Sequence, residues 1–192
     1  IGRIQMMPWV TYEATREGYL FASENMMLDP GSYYLAAEAE DQIKKTVGTF
    51  RGGVNVQRFG HDTLQVSDLL LARRVVEREE TPIGRQRFLI LPNPLQQCNR
   101  LGQAYFYYEI YNMEKDEFGA TKYEVTYQVR TQALSEAAEE KEWTTAVSYT
   151  HQGNREWEPI YQVLNLDAMP GLREFRVVVR DLNSLQEATS ET

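Results

Sequence analysis

The sequence predicts an all-β protein built from two tandem immunoglobulin-like or fibronectin-like β-sandwiches, the first of them incomplete at its N-terminus. Short segments of alternating apolar and polar residues are separated by frequent Pro, Gly and Asn turn signals. One segment occurs twice. Pro30-Gly31 opens a strand-like run that ends at Asp41, and Pro170-Gly171, 140 residues later, opens a run that ends at Asp181. This repeat indicates the same late strand in two related domains.

The composition supports folded domains and limits the classes of partner. The chain has 192 residues, of which 42% are hydrophobic and 11% aromatic, which is enough for packed cores. Its formal net charge of −8 and its scattered Lys and Arg argue against nucleic-acid binding, because phosphate neutralisation needs clustered cations. No apolar run approaches the roughly 20 residues that span a bilayer. The single cysteine, Cys98, has no disulfide partner in the chain and is predicted to be a small buried residue.

The first domain is predicted over residues 1–75 and contains the later strands of a sandwich. Its predicted strands are Arg3–Tyr12, Tyr19–Ala22, Ser32–Glu40 and Thr46–Phe59. In Ser32–Glu40 the odd-numbered side chains share one face, which we predict to be the buried one. Tyr33 lies where the hydroxyl of a tyrosine corner bonds back to the preceding turn. Leu64–Ala72 is compatible with a strand or a helical turn, since a short apolar run does not distinguish them.

Residues 76–87 are highly charged, include a proline and a glycine, and are predicted to link this domain to a second sandwich over residues 88–192. The predicted strands of the second domain are Phe88–Leu91, Gln103–Met113, Thr121–Thr131, Trp143–Thr150, Trp157–Leu166 and Gly171–Leu182. Thr121–Thr131 alternates cleanly, with the odd-numbered residues from 123 to 129 on the inner face. The one predicted helix, Gln132–Glu142, is short and acidic and has a serine available as N-cap.

Three segments of the chain are similar, in order, to a known family. They are Val66-Ser67-Asp68-Leu69-Leu70-Leu71-Ala72, Leu91-Pro92-Asn93-Pro94 and Tyr108-Glu109-Ile110-Tyr111-Asn112-Met113. With the Pro-Gly strands that end at Asp41 and Asp181, they resemble the C-terminal β-sandwich region of bacterial GWxTD-domain proteins. The Gly-Trp-x-Thr-Asp motif that names the family is absent from this sequence. The resemblance implies an exported protein of the periplasm or cell envelope, often lipid-anchored, and it transfers no catalytic residues. Any such anchor is expected in an N-terminal segment missing from this sequence.

Few residues are candidates for catalysis, cofactors or metals. His61 and His151 are far apart in sequence, lie beside turn residues, and are predicted to be surface loop histidines. The acidic loop Glu114–Gly119 could offer carboxylates to calcium, but it lacks the alternating-ligand spacing of a dedicated calcium loop. No nucleophile elbow or phosphate-binding glycine loop occurs. We therefore predict a protein that is not an enzyme and that holds no cofactor and no metal.

The strand predicted over Gln103–Met113 is apolar on both faces. One face carries Phe106, Tyr108 and Ile110, and the other carries Tyr105, Tyr107 and Tyr111. Because a sandwich strand needs only one apolar face, the second set either packs on the preceding domain or the acidic helix, or contacts another protein. The candidate protein interface is therefore Tyr105, Tyr107 and Tyr111.

These observations predict a non-catalytic, exported interaction or scaffolding protein. It would be an accessory extramembrane subunit of a larger bacterial membrane or envelope complex, with other protein subunits as partners, no nucleic acid and no membrane span in this chain. The alternative is a carbohydrate- or peptide-binding β-sandwich module in which Trp143 and Trp157 stack on the ligand. Exposed tryptophan rings would favour this alternative, and burial of both rings would count against it.

Overall fold

The computed structural model describes residues 13–14, 20–21, 26–41, 43–77, 87–93, 95–98, 102–131, 142–165 and 171–192. Regular structure within these ranges is β-strand without α-helix, which confirms the all-β prediction. The strands are β1 Glu13–Ala14, β2 Leu20–Phe21, β3 Gly31–Glu40, β4 Val47–Val56, β5 Gln65–Val66, β6 Leu70–Glu77, β7 Phe88–Pro92, β8 Gln103–Tyr111, β9 Thr121–Thr131, β10 Thr144–Gly153, β11 Glu158–Asn165, β12 Arg173–Asp181 and β13 Glu187–Glu191. The predicted helix Gln132–Glu142 lies, except for its last residue, outside the described ranges.

The chain divides into two compact units, Ile1–Gly60 and His61–Thr192. The linker predicted at residues 76–87 falls inside the second unit. There β6 pairs antiparallel with β8, and its last residue, Glu77, stands opposite Phe88 of β7. The charged stretch therefore joins two neighbouring strands of one sheet. Charge, proline and glycine mark an exposed connection, and they are equally common in a loop between paired strands and in a linker between domains.

The second unit consists of two sheets that face each other. The four-stranded sheet has the order β10-β9-β12-β13. The five-stranded sheet has the order β11-β8-β6-β7, with the short strand β5 also paired to β8. All of these pairs are antiparallel. Two faces of this kind enclose a core between them, as in a β-sandwich.

The core between the sheets is built from the alternating faces of three long strands. Its members on these strands include Phe106, Tyr108 and Ile110 of β8, Tyr123, Val125 and Tyr127 of β9, and Val177 and Val179 of β12. Each is at most 2% exposed. The inward face predicted for β9 is confirmed at these three positions, and so is the buried Phe106-Tyr108-Ile110 face of β8. Period-two alternation identified both faces because each long strand has one side in the core.

Three buried tyrosines satisfy their hydroxyl groups inside this core. The hydroxyl oxygens of Tyr108 and Tyr127 lie 2.6 Å apart, and the Tyr123 hydroxyl donates to Glu158 Oε2 at 2.7 Å. Burial raises the pKa of all three hydroxyls well above the usual tyrosine value. For Tyr123 the hydrogen bond to Glu158 raises the pKa further. These groups therefore stay protonated in the folded state and are suited to structure rather than proton transfer.

The stability of the protein at alkaline pH should reveal the raised pKa of these buried tyrosine hydroxyls. A hydroxyl with a raised folded-state pKa contributes stability that is complete below about pH 10 and is lost as the pH rises, because only the unfolded state ionises there. We expect Tyr127→Phe to reduce the slope of unfolding free energy against pH by about 1.4 kcal/mol per pH unit above pH 10.5. Urea titrations between pH 9 and 12 measure the slope. Tyr161→Phe, at the protein surface, is the control, and equal slopes for the two variants would contradict the prediction.

In the first unit, the described part is dominated by a long antiparallel hairpin of β3 and β4. Ten consecutive residue pairs run from Gly31 opposite Val56 to Glu40 opposite Val47. The tyrosine-corner hydrogen bond predicted for Tyr33 is present, since its hydroxyl donates to the Asp29 carbonyl oxygen at 2.7 Å. This bond ties the start of β3 to the preceding turn.

The two repeated segments fold into hairpins with the same turn. Asp41 and Asp181 each donate a backbone hydrogen bond of 2.9 Å to the carbonyl oxygen five residues further on. The Oδ1 atom of each aspartate also accepts from the amides two and three residues ahead, at 2.9 and 3.0 Å in the first turn and 2.9 and 3.4 Å in the second. Lys45 and Leu185, at equivalent positions, both take the left-handed conformation, with φ of 54° and 62°.

Strand pairing beyond the turn is also equivalent. Glu40 stands opposite Val47 in the first hairpin, and Arg180 stands opposite Glu187 in the second. All four positions are related by the same spacing of 140 residues as the two aspartates. Because a slip of one residue would place every side chain on the other face, the shared register gives the two hairpins the same inner and outer faces.

Candidate interaction surfaces

The three tyrosines predicted as a protein interface lie on the outer face of the five-stranded sheet. Tyr107 is buried, with 7% of its surface exposed, whereas Tyr105 and Tyr111 are half-buried. The Tyr105 hydroxyl donates to Gln103 Oε1 at 2.8 Å. The structure thus brings the three residues together on one face but leaves only Tyr105 and Tyr111 with substantial accessible surface. Their contact with another protein stays a prediction.

A second apolar cluster surrounds Tyr107 on this outer face. Its buried members are Ala72, Val75, Phe88 and Tyr107, with Ile90 and Tyr105 packed against them. The Phe88 ring makes edge-on contacts with Tyr107 and with Tyr161, at centroid distances of 6.0 and 5.3 Å. The second apolar face of β8 is therefore covered at Tyr107 by residues of β6 and β7 in the same sheet, a packing that was not among the predicted alternatives.

A buried carboxylate, Glu109, lies beside this cluster and was not singled out from the sequence. It is 2% exposed and accepts hydrogen bonds from the hydroxyls of Tyr107, at 2.7 Å, and Tyr111. The indole N–H of Trp157 donates to Oε2 at 3.1 Å. Three neutral donors converge on two oxygen atoms, so the carboxylate acts as an acceptor that fixes three aromatic rings. The spacing Tyr-x-Glu-x-Tyr along one strand face was the available sequence signal.

The two tryptophans proposed for ligand stacking are half-buried and already covered by side chains of this chain. The guanidinium carbons of Arg130 and Arg176 lie 4.6 and 4.3 Å from the Trp143 ring centroid. Trp157 stacks on Tyr111 with an interplanar angle of 28° and a centroid distance of 6.4 Å. These contacts occupy ring surface that a sugar or peptide would need.

The two histidines differ in environment. His61 is exposed at a bend, as predicted. The prediction for His151 was wrong, because this residue lies within β10 and its ring stacks on Tyr123 at 5.1 Å between centroids. The neighbouring Gln152 and Gly153 suggested a loop, but both still pair with β9 and extend the strand past the histidine.

The acidic loop Glu114–Gly119 is held by hydrogen bonds between its own side chains and backbone. Asp116 Oδ1 accepts from the amides of Phe118 and Ala120, at 2.9 and 2.8 Å, and so organises the loop that had been weighed as a calcium site. Over the described ranges, no three His, Cys, Asp or Glu side chains form a cluster that could hold a metal ion.

Cys98, predicted to be buried, is exposed. Partial burial of its thiol raises the pKa, while nearby Arg73 acts in the opposite direction.

A small crevice opens between the two sheets of the second unit. Its lining includes Phe106 and Leu164 from one sheet and Tyr127 and Phe175 from the other. It has essentially no space for a water-sized molecule, whereas typical small-molecule sites have volumes of roughly 300–1,000 Å³. This crevice is therefore too small for a ligand of ordinary size.

Among the described residues of the first unit, the β3–β4 hairpin carries several exposed apolar side chains on one face. We call the surface formed by Tyr33, Leu35, Ala37, Phe50 and Val54 the hairpin face, because these residues lie on one side of the paired strands. Phe50 is 60% exposed, Val54 42% and Tyr33 37%. The Phe50 ring extends over Gly52, reaching 3.0 Å from where a β-carbon would stand. Aromatic and aliphatic side chains on one solvent-exposed sheet face mark a surface that another polypeptide can cover.

No family model matches the sequence, and no curated protein matches it at a significant level of similarity. The resemblance to GWxTD-domain proteins therefore remains a prediction. Among the residues with described structure, no helix has the length and apolar character needed to cross a membrane.

Proposed function

We propose that the protein is a non-catalytic interaction or scaffolding protein that contacts its partner through the first unit. The observation that carries this proposal is the hairpin face. Phe50, Val54 and Tyr33 leave a large part of their apolar surface in water, on a strand pair that has no covering layer among the described residues. An interaction protein presents a surface of this kind, whereas an enzyme needs convergent reactive groups in a pocket.

The energetics favour a partner on this face. An isolated two-stranded hairpin is at best marginally stable in water, and it gains independent stability when a third strand or a further layer packs on it. Full burial of one large apolar side chain contributes about 1.5–3 kcal/mol. Covering Phe50, Val54 and Tyr33 would therefore stabilise both the hairpin and the complex.

At the level of the fold, we propose two immunoglobulin-like units in tandem, and in the first of them the partner covers the face that the five-stranded sheet covers in the second. The equivalence of the two hairpins in turn geometry and register supports this, because the second hairpin is the β12–β13 edge of a two-sheet unit. The location we propose, the outer side of a bacterial membrane within a larger envelope complex, rests on the resemblance to GWxTD-domain proteins.

The covered tryptophan rings favour protein contact over the carbohydrate-binding alternative. Trp143 lies against two arginine side chains and Trp157 against Tyr111, so neither ring has both faces open. The half-exposed Tyr105 and Tyr111 form a second proposed contact surface, on the second unit.

Affinity purification from native membranes tests the proposal. We expect Phe50→Ser to reduce co-purifying partner chains at least tenfold, because it removes the largest apolar side chain of the hairpin face while disturbing no buried residue. Thr49→Ser, on the opposite face of the same strand, is the matched control and should retain them. Recovery of the unaltered protein as a lone monomer, or equal recovery of partners with Phe50→Ser and Thr49→Ser, would overturn the proposal.

A further inference from the structure

Two buried polar atoms at one end of the second unit lack a hydrogen-bond partner among the described residues. They are the hydroxyl oxygen of Thr121 and the Nε2 atom of His151. Thr121 is 0% exposed, and His151 is half-buried with its Nε2 atom covered. Buried polar groups in folded proteins are almost always bonded to protein or to ordered water, because an unpaired group loses its hydration without compensation. The two atoms therefore indicate a site for a further hydrogen-bonding molecule.

Both atoms belong to one corner of the core. Thr121 of β9 stands opposite Gly153 of β10, and the next pair on the same face is Tyr123 opposite His151. The His151 ring stacks on the ring of Tyr123, at 5.1 Å between centroids and 14° between ring planes. Thr121 and His151 are therefore diagonal neighbours, a relation in which two residues lie about 7–8 Å apart. One small molecule between their side chains can span such a distance.

Gly153 leaves space at this corner. The atoms nearest to where a β-carbon of residue 153 would stand are Thr121 Oγ1, at 3.3 Å, and Glu158 Oε2, at 3.6 Å. Glu158 lies on β11 of the opposite sheet, and the same Oε2 atom accepts the Tyr123 hydroxyl at 2.7 Å. The space that a side chain would fill is therefore bordered by a hydroxyl and a carboxylate from different sheets. Its position favours a molecule with a single heavy atom.

The chain around this corner is described without a gap. It comprises the beginning of β9, the end of β10, the beginning of β11 and the connections over residues 112–120, 154–157 and 182–186. Within these segments, no side chain or backbone group bonds to Thr121 Oγ1 or His151 Nε2. The missing partner of both atoms is therefore expected to be solvent.

We propose that one water molecule binds at this corner and joins the two sheets. It accepts a hydrogen bond from the Thr121 hydroxyl, donates one to Glu158 Oε2, and has His151 Nε2 as its third partner. Three polar partners fall within the two to four that a buried water requires, and these groups supply both donors and acceptors. β10 and β11 stand first in the strand orders β10-β9-β12-β13 and β11-β8-β6-β7. With the Tyr123–Glu158 hydrogen bond, the water therefore forms a polar connection between these two strands.

A high-resolution crystal structure of the full chain is the direct test. We expect an electron-density peak within about 3.2 Å of Thr121 Oγ1, His151 Nε2 and Glu158 Oε2. The peak should disappear in Thr121→Val and persist in Thr121→Ser, which keeps the hydroxyl. No peak in the unaltered protein, or an unchanged peak in Thr121→Val, would overturn the proposal. Crystals grown in rubidium chloride distinguish water from a cation, since an anomalous signal at the peak would identify a cation and rule out the water.

Thermal unfolding provides a test in solution. Valine has the shape of threonine and is equally favourable in strands, so a hydroxyl without any partner would make Thr121→Val neutral or stabilising. Because the hydroxyl bonds to the water, we expect the melting temperature of the second unit to fall by about 3–6 °C. Thr150→Val, on the exposed outer face of β10, is the matched control and should shift it by less than about 2 °C. A melting temperature of Thr121→Val equal to or above that of the unaltered protein would contradict the bound water.

Discussion

Asp181→Ala should lower the free energy of unfolding of the second unit by about 3 kcal/mol. The carboxylate is fully buried and accepts the backbone N–H groups of Glu114, Asn183 and Ser184. It therefore joins the loop before β9 to the turn between β12 and β13. Removing it leaves these amides without an acceptor in a region where water cannot readily replace it. Urea unfolding followed by circular dichroism measures the loss, and hydrogen exchange of residues 173–191 assigns it to the second unit.

The repeat supplies a matched control for this substitution. Asp41→Ala removes the same two turn hydrogen bonds from an exposed carboxylate, so we expect the first hairpin to lose only about 1 kcal/mol. Hydrogen exchange resolves the two sites, with residues 31–56 reporting one hairpin and residues 173–191 the other. Similar losses of unfolding free energy in Asp181→Ala and Asp41→Ala would contradict this prediction. They would mean that burial and the bond to Glu114 do not make Asp181 the more stabilising of the two aspartates.

Glu109→Ala should destabilise the second unit by a similar amount, about 3 kcal/mol. The substitution removes the acceptor shared by the Tyr107 and Tyr111 hydroxyls and the Trp157 indole N–H. The Tyr107 hydroxyl is the costliest of the three to leave unpaired, since this residue is buried while the other two are half-buried. Loss of the bond to Trp157 should also change the intrinsic fluorescence of the folded protein.

Glu156→Ala is the control for the charge that Glu109→Ala removes. Glu156 is exposed and pairs with Lys115 at 3.2 Å, a surface ion pair that contributes well under 1 kcal/mol. The two variants should therefore differ clearly in the urea concentration at the midpoint of unfolding. The dependence of their unfolding free energy on urea concentration should be the same. A loss below 1 kcal/mol for Glu109→Ala would mean that the three donors find other acceptors and that the carboxylate is not what holds the rings.

Strand positions and the inner faces of the second unit were predictable because they depend on local alternation. The burial predicted for the odd-numbered face of β3 was wrong, since Tyr33, Ala37 and Ala39 are exposed. Alternation shows which residues share a face, but it does not show whether another layer covers that face. In β9 the residues Tyr123, Val125 and Tyr127 alternate with polar residues, and this alternation alone identified the buried side. The Tyr33 hydrogen bond to Asp29 was equally accessible, since it joins residues four positions apart. The His151 prediction failed because neighbouring turn-forming residues do not end a strand that is held by pairing with β9.

Contacts between distant segments were not predictable. The boundary at Gly60 depends on pairing of β6 with β8, residues more than 30 positions apart, and no local pattern specifies which strand another will join. The burial of Glu109 also depends on a contact with a residue that is distant in the sequence. Its burial follows from Trp157, 48 residues away, as much as from the tyrosines beside it. The sequence therefore marked β8 as apolar on both faces but could not say that neighbouring strands cover Tyr107.

The all-β class and the repeat that ends at Asp41 and Asp181 could be recognised from residue order alone. Each of these follows from the order of residues along a single strand or turn. The folded structure was needed to show that Asp181 is buried and bonded to Glu114 while Asp41 is exposed. The two turns have the same local geometry, and their difference arises from what packs beside them. Burial depends on neighbours brought together by folding, which is why two copies of one segment have different environments in this protein.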